Sequence, residues 1–238
     1  MIKYFISIGL SILTFVSFGQ SEHPELANIG KKISDLTPDG WDTLASTIGD
    51  LNRDGIDDLV FAIKNTDNRN FKLNDGLGSD STDLNPRILA IYFGDSSRTF
   101  KKQLQSNEFI LLKESPTIDE PFDGLTIQNN GILKMNYSFW SSAGSWYMSN
   151  HEYKFRYQND RFELIGYEET ETHRGTMKST NYSINFSTKK MKTVVTTFDE
   201  NTEEEKSSVR WKKFELVKLK SISSLRKPFE WTFLGIEI

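Results

Sequence analysis

Apolar and polar residues alternate along most of the chain with a period of two, the pattern of strands with one face buried and one wet. Tyr153, Phe155 and Tyr157 alternate with Glu152, Lys154 and Arg156, and Tyr182, Ile184 and Phe186 repeat the pattern. Two stretches break it. Leu59-Val60-Phe61-Ala62-Ile63 and residues 88–93 are apolar throughout, as in strands covered on both faces. Further strands are predicted at 41–48, 192–198 and 209–219. Asn129-Asn130-Gly131 separates Leu125-Thr126-Ile127 from Ile132-Leu133-Lys134-Met135, and Asn and Gly tolerate the positive φ of a tight hairpin turn. Connections are short from Leu125 onward, so neighbouring strands are expected to pair antiparallel. Gln158-Asn159-Asp160 turns the chain in the same way.

One helical pattern precedes the strands. Leu26, Ile29, Ile33 and Leu36 recur at spacings of three and four, with Pro24 suited to a first turn and Thr37-Pro38-Asp39-Gly40 to a stop. Residues 65–86 are rich in Asn, Asp, Ser and Gly without periodicity and are expected to form a long, mobile loop. No repeat of 20–50 residues recurs. The fold class implied is mainly β: an antiparallel β meander, as a sandwich or as open propeller-like sheets, with one short N-terminal helix.

The first residues change the picture of where this domain works. Met1-Ile2-Lys3, a largely apolar run to Phe18, and small residues at Ser17 and Gly19 form the three parts of a secretory signal. The run is shorter than the roughly 20 apolar residues that span a bilayer. Residues 1–19 are therefore expected to be a signal peptide and 20–238 a single β-rich domain, exported to the periplasm or beyond the cell. The chain contains no cysteine, so disulfides cannot hold it, nor is there a thiol to carry a lipid anchor. Loss of Lys3 with the signal moves the formal charge from −4 to −5. An acidic chain of this kind gives no electrostatic reason to expect nucleic acid as a partner, and no membrane span is expected in the mature chain.

One segment carries specific chemistry. Asp50-Leu51-Asn52-Arg53-Asp54-Gly55-Ile56-Asp57-Asp58 places side-chain oxygens at the first, third, fifth and ninth positions. Calcium takes six to eight oxygens at roughly 2.3–2.6 Å, and a short loop supplies them when alternate side chains turn inward. Gly55 permits the sharp turn, the Ile56 carbonyl adds an oxygen, and Asp57 points away. The twelfth position is Phe61, where an EF-hand needs a bidentate Glu, and the flanks are strands. The loop instead resembles the calcium loops of FG-GAP and VCBS repeats, with the apolar strand that follows and a second strand at Ile91-Tyr92-Phe93-Gly94-Asp95-Ser96-Ser97-Arg98-Thr99-Phe100. That resemblance covers residues 49–100 as a single unit, whereas a closed propeller typically needs at least four blades. The rest of the chain is similar to small secreted bacterial proteins that carry one such loop. The resemblance implies calcium as cofactor, with Asp50, Asn52, Asp54, Asp58 and the Ile56 carbonyl as ligands; it implies no activity.

Other constellations are weaker. His23, His151 and His173 lie far apart, and no Gly-x-Ser-x-Gly elbow or His-Glu-x-x-His helix occurs. Asp119, Glu120 and Asp123 beside Pro121 and Gly124 offer carboxylates for glycosidic chemistry. Tyr137, Phe139, Trp140, Trp146 and Tyr147 surround a small-residue turn at 141–145; alternation places most of them on a core face, and Trp146 and Tyr147 at the turn are the candidates for ligand contact. The acidic stretch 199–205 is expected to be a solvated hairpin tip. The sequence thus favours a non-catalytic, calcium-stabilised binding or interaction module for a protein or carbohydrate ligand. An exported hydrolase acting on glycan or another polymer is the alternative.

Overall fold

The computed structural model describes residues 23–199, 202 and 204–238, so the expected signal peptide lies outside the described residues. The first part of the chain runs through β1 (Ile29–Gly30), α1 (Ile33–Leu36), β2 (Trp41–Gly49), β3 (Asp58–Asn65), β4 (Phe71–Leu73), β5 (Ser81–Asp83), β6 (Arg87–Gly94) and β7 (Phe100–Ser106). The second part is a run of long strands: β8 (Phe122–Ile127), β9 (Ile132–Phe139), β10 (Tyr147–Gln158), β11 (Arg161–His173), β12 (Lys178–Asn185), β13 (Lys190–Asp199) and β14 (Glu204–Lys213). It closes with α2 (Ile222–Leu225), β15 (Thr232–Phe233) and β16 (Ile236–Glu237).

The protein is mainly β and antiparallel. One sheet has the order β1-β7-β6-β3-β2, and β8 to β14 follow one another as a meander in the other. The antiparallel sheets include a half-barrel. The two sheets meet where β2 runs beside β8, with the Ile127 amide donating to Thr47 Oγ1 at 3.3 Å. Between them lies the larger core, in which Val60, Ala62, Leu89 and Ile91 face Leu133, Tyr153, Phe155 and Tyr167. On the far side of the first sheet Leu59, Phe61, Ile63, Ile88, Ala90 and Tyr92 form a second core under Leu26 and Leu36. The two unbroken apolar runs are explained by this double coverage: alternate residues of β3 and β6 serve different cores. Each buried side chain of this size contributes about 1.5–3 kcal/mol.

Three expectations need correction. The apolar repeat from Leu26 to Leu36 is helical only over Ile33–Leu36. Ile29 and Gly30 instead pair with Lys101 and Phe100 of β7, because edge pairing supplies hydrogen bonds that a helix around Gly30 would have to replace. Leu26 and Leu36 are nonetheless buried and Ile33 partly so, whereas Ile29 is exposed, so the pattern marked the core in part and its conformation wrongly. Residues 65–86 carry a 3₁₀ turn at Asn68–Asn70 and the small hairpin β4–β5, docked where the Ser79 amide donates to the Pro116 carbonyl at 2.8 Å. The last long strand is Glu204–Lys213 rather than 209–219, and all ten of its residues are exposed at the edge of the sheet.

Candidate functional site

The loop between β2 and β3 is held by its own oxygens. Asp50 Oδ1 accepts from the amides of Arg53 (2.6 Å) and Asp54 (3.2 Å), and Asp50 Oδ2 accepts from Gly55 (2.9 Å). Asn52 Oδ1 accepts from the Asp54 amide and Asp54 Oδ1 from the Ile56 amide, so the first, third and fifth side chains all turn toward the loop backbone. Arg53 at φ +63° and Gly55 at φ +85° make the two left-handed bends that this wrapping needs. Asp57 is exposed, as the spacing predicts.

Asp58 is the fixed end of the loop. It is fully buried, with Oδ2 accepting from Leu51 (2.8 Å) and Asn52 (3.3 Å) and Oδ1 accepting from Gly94 at 2.9 Å. Burial pushes its carboxyl up from 3.8 to about 6, against the pull of those three amides and with a small push from Asp54. Gly94 begins the turn after β6, and a Cβ there would lie 2.1 Å from the Asp57 carbonyl oxygen, so only glycine lets the turn approach the loop. From the other sheet, the β8–β9 turn meets the loop where Arg53 Nη2 donates to the Asn130 carbonyl at 2.8 Å. The loop therefore sits at the seam between both sheets. Among the described residues no group of three or more His, Asp or Glu side chains is gathered so as to hold a metal. The loop carboxylates here serve backbone amides. Asp50 Oδ1 and Asp58 Oδ2 each accept two amides, whereas Asp50 Oδ2, Asn52 Oδ1, Asp54 Oδ1 and Asp58 Oδ1 each accept one backbone amide.

Of the acids at 119–123, Glu120 is tied down. Glu120 takes a bidentate pair from Arg87, Nη1 to Oε1 at 2.5 Å and Nη2 to Oε2 at 2.8 Å, while Nη1 also donates to the Leu111 carbonyl. The neighbouring cavity of about 470 Å³ is lined by Leu111, Pro121, Phe139 and Phe229 with Glu114 and Glu230, and by none of the three acids.

The aromatic group divides between core and surface. Tyr137 is buried and donates to the Phe109 carbonyl, and Phe139 packs at the core margin. Trp146 and Tyr147 stay 67% and 51% exposed. Trp146 stacks on His173 (centroids 6.3 Å apart, 21° between planes), and Tyr147 meets the same ring edge-on at 4.9 Å. Arg174 locks this corner: its amide donates to the Trp146 carbonyl, its Nη2 to the carbonyls of Ser141 and Ser145, and its guanidinium lies 5.1 Å from the Trp140 ring centre. Sequence reasoning missed Arg174, since nothing local ties it to a turn some thirty residues earlier.

His151 is structural. His151 Nδ1 lies 2.8 Å from the Tyr167 hydroxyl and Nε2 lies 2.8 Å from Ser149 Oγ. The Tyr167 hydroxyl also lies 3.2 Å from the Glu237 carbonyl, so the histidine sits in a hydrogen-bonded chain at the edge of the core. Burial lowers the His151 pKa to about 4, so the ring is neutral at pH 7. Comparison with protein-family models, with curated proteins and with solved structures finds no match for this chain.

Proposed function

We propose that the chain is an exported, non-catalytic binding module whose fold is stabilised by calcium at Asp50, Asn52, Asp54, Asp58 and the Ile56 carbonyl. The observation that carries this reading is the place of the loop. It joins the β2–β3 connection to Gly94 of the first sheet and to Asn130 of the second. Four carboxylates crowd nine residues there, three of them proposed ligands, and burial already disfavours the ionised form of Asp58. A divalent cation at this point relieves that repulsion and ties both sheets. Export to the periplasm or beyond the cell supplies millimolar-range calcium and follows from the signal pattern at 1–19. The ligand, protein or carbohydrate, is taken at the exposed Trp146–Tyr147 corner. The hydrolase alternative loses support because Glu120, its central acid, is engaged by a buried arginine.

Thermal melting in millimolar calcium and in chelator tests the reading. Tenfold excess over Kd stabilises the folded state by about 1.4 kcal/mol, which for a domain of this size is roughly 3–5 °C. Asp54→Ala abolishes most of that shift while the calcium-free variant stays folded, and magnesium substitutes poorly because it demands octahedral geometry. Equal melting temperatures for the wild type in both buffers refute it.

A further inference from the structure

The inner face of the seven-stranded sheet is core only in part. Moving outward along paired positions of β10, β11 and β12, the row Tyr153–Tyr167–Ile184 is buried core. The next row is His151–Glu169–Tyr182, then Ser149–Glu171–Thr180, then Tyr147–His173–Lys178. Opposed residues in a sheet point to one side, so these three rows continue the core face as a polar and aromatic floor. Exposure rises along it: His151 is buried, Ser149 and Glu169 are half-buried, and Glu171, Tyr147 and Lys178 are exposed. Strand spacing and residue rise give a floor of roughly 10 Å by 14 Å, room for one or two pyranose rings.

We propose that this floor, with the Trp146 indole at its rim as the stacking platform, binds a pyranose unit of a neutral glycan; the proposal rests on the binding-module reading and names its ligand. The indole is backed on one side by His173, and a Cβ on Gly175 would lie 3.6 Å from Trp146 Cε3, yet two-thirds of the residue remains open to solvent. A large aromatic face in water, already fixed by its neighbours, loses little freedom on binding. Arg174 fixes the chain on either side of it, through the carbonyls of Ser145 and Trp146. A pyranose offers an apolar C–H face to such a ring, and its equatorial hydroxyls need polar partners beside the ring. The floor has them: Glu171 as an acceptor of two vicinal hydroxyls, with Thr180, Tyr182 and Glu169 beside it. A protein hot spot is instead an aromatic anchor in a dry pocket ringed by water-excluding contacts, which this wet floor of carboxylates and hydroxyls does not provide. In this floor Glu169 and Glu171 outnumber the one lysine, Lys178, which disfavours uronate and sulfated glycans; burial, joined by repulsion from Glu171, holds the Glu169 carboxyl above its usual range.

Isothermal titration of the mature chain with cellohexaose, laminarihexaose, xylohexaose and mannohexaose tests the proposal, with a pentagalacturonate arm and each run in calcium and in chelator. The expected result is binding of at least one neutral oligosaccharide, weakened about tenfold or more by Trp146→Ala and severalfold by Glu171→Gln. Because Glu171 is exposed, Glu171→Gln keeps the test valid if Trp146→Ala fails to fold. No neutral oligosaccharide bound at up to about 10 mM, binding of pentagalacturonate alone, or neutral binding unchanged in both variants would overturn it. Glycan binding without a calcium melting shift sinks the calcium reading and leaves this face standing. A calcium shift without glycan binding does the reverse.

Discussion

Replacing Glu120 by alanine takes the carboxylate off a guanidinium that is 1% exposed and leaves it the Leu111 carbonyl. The Nε of the same side chain is buried with no partner, so Arg87 has no spare hydrogen bond to fall back on. Removing one member of a fully buried pair costs about 3–5 kcal/mol. Glu120 itself is 46% exposed, so water reaches the vacated position and the cost falls to about 2–3 kcal/mol. In a domain of this size that lowers the melting temperature by about 4–12 °C. Urea unfolding at pH 7, with the slope m unchanged, reads the same loss as a lower midpoint. The paired variant Arg87→Leu/Glu120→Leu, which removes both charges, recovers part of the stability, and the double-mutant cycle isolates the coupling. A Glu120→Ala variant within about 0.5 kcal/mol of wild type would show that the pair does not hold Arg87, and would return Glu120 to the list of free acids.

Other expectations follow from single contacts. Gly94→Ala drives a Cβ into the Asp57 carbonyl, so it should cost about 1–3 kcal/mol and reduce the calcium shift; an unchanged urea midpoint contradicts the close approach. The His151 pKa is lowered in the folded state, so its contribution to stability is complete above about pH 6.5 and is lost as pH falls toward 4. His151→Gln should therefore gain about 1–2 kcal/mol on wild type between pH 7 and pH 5, and parallel urea midpoints across that range refute this. Asp58 acts in the opposite sense: its folded pKa is raised, so without calcium the loop gains stability as pH falls from about 6 toward 4, and Asp58 titration by carboxylate NMR in chelator checks it. Secretion from a Gram-negative host should yield a mature chain beginning at Gln20 or within a residue or two, and mass spectrometry finding Met1 on the exported protein would contradict the signal.

The sequence by itself determined most of the sheet. Period-two alternation places β10 to β13 and their turns because each strand's inward residues must be apolar whatever lies across from them, and Asn-Gly chemistry marks the β8–β9 turn locally. The oxygen spacing of 50–58 is likewise local, and the side chains of Asp50, Asn52 and Asp54 accept amides of their own loop. The tertiary structure decided what depends on distant partners. Leu26 and Leu36 are buried by β3 and β6, and edge pairing with β7 outweighed the helical repeat around Gly30. The fate of Glu120 turned on Arg87, a residue 33 positions away in sequence. The exposure of Trp146 and Tyr147 at their turn, beside a buried Tyr137, follows the local reading of that cluster, but what holds the turn does not. Only the register of β10 on β11 puts His173 and Arg174 beneath that turn and carries the core face outward into the open floor of Glu169 and Glu171. Local periodicity fixes which way a side chain points, but only the packing of one sheet against another fixes where its cover ends.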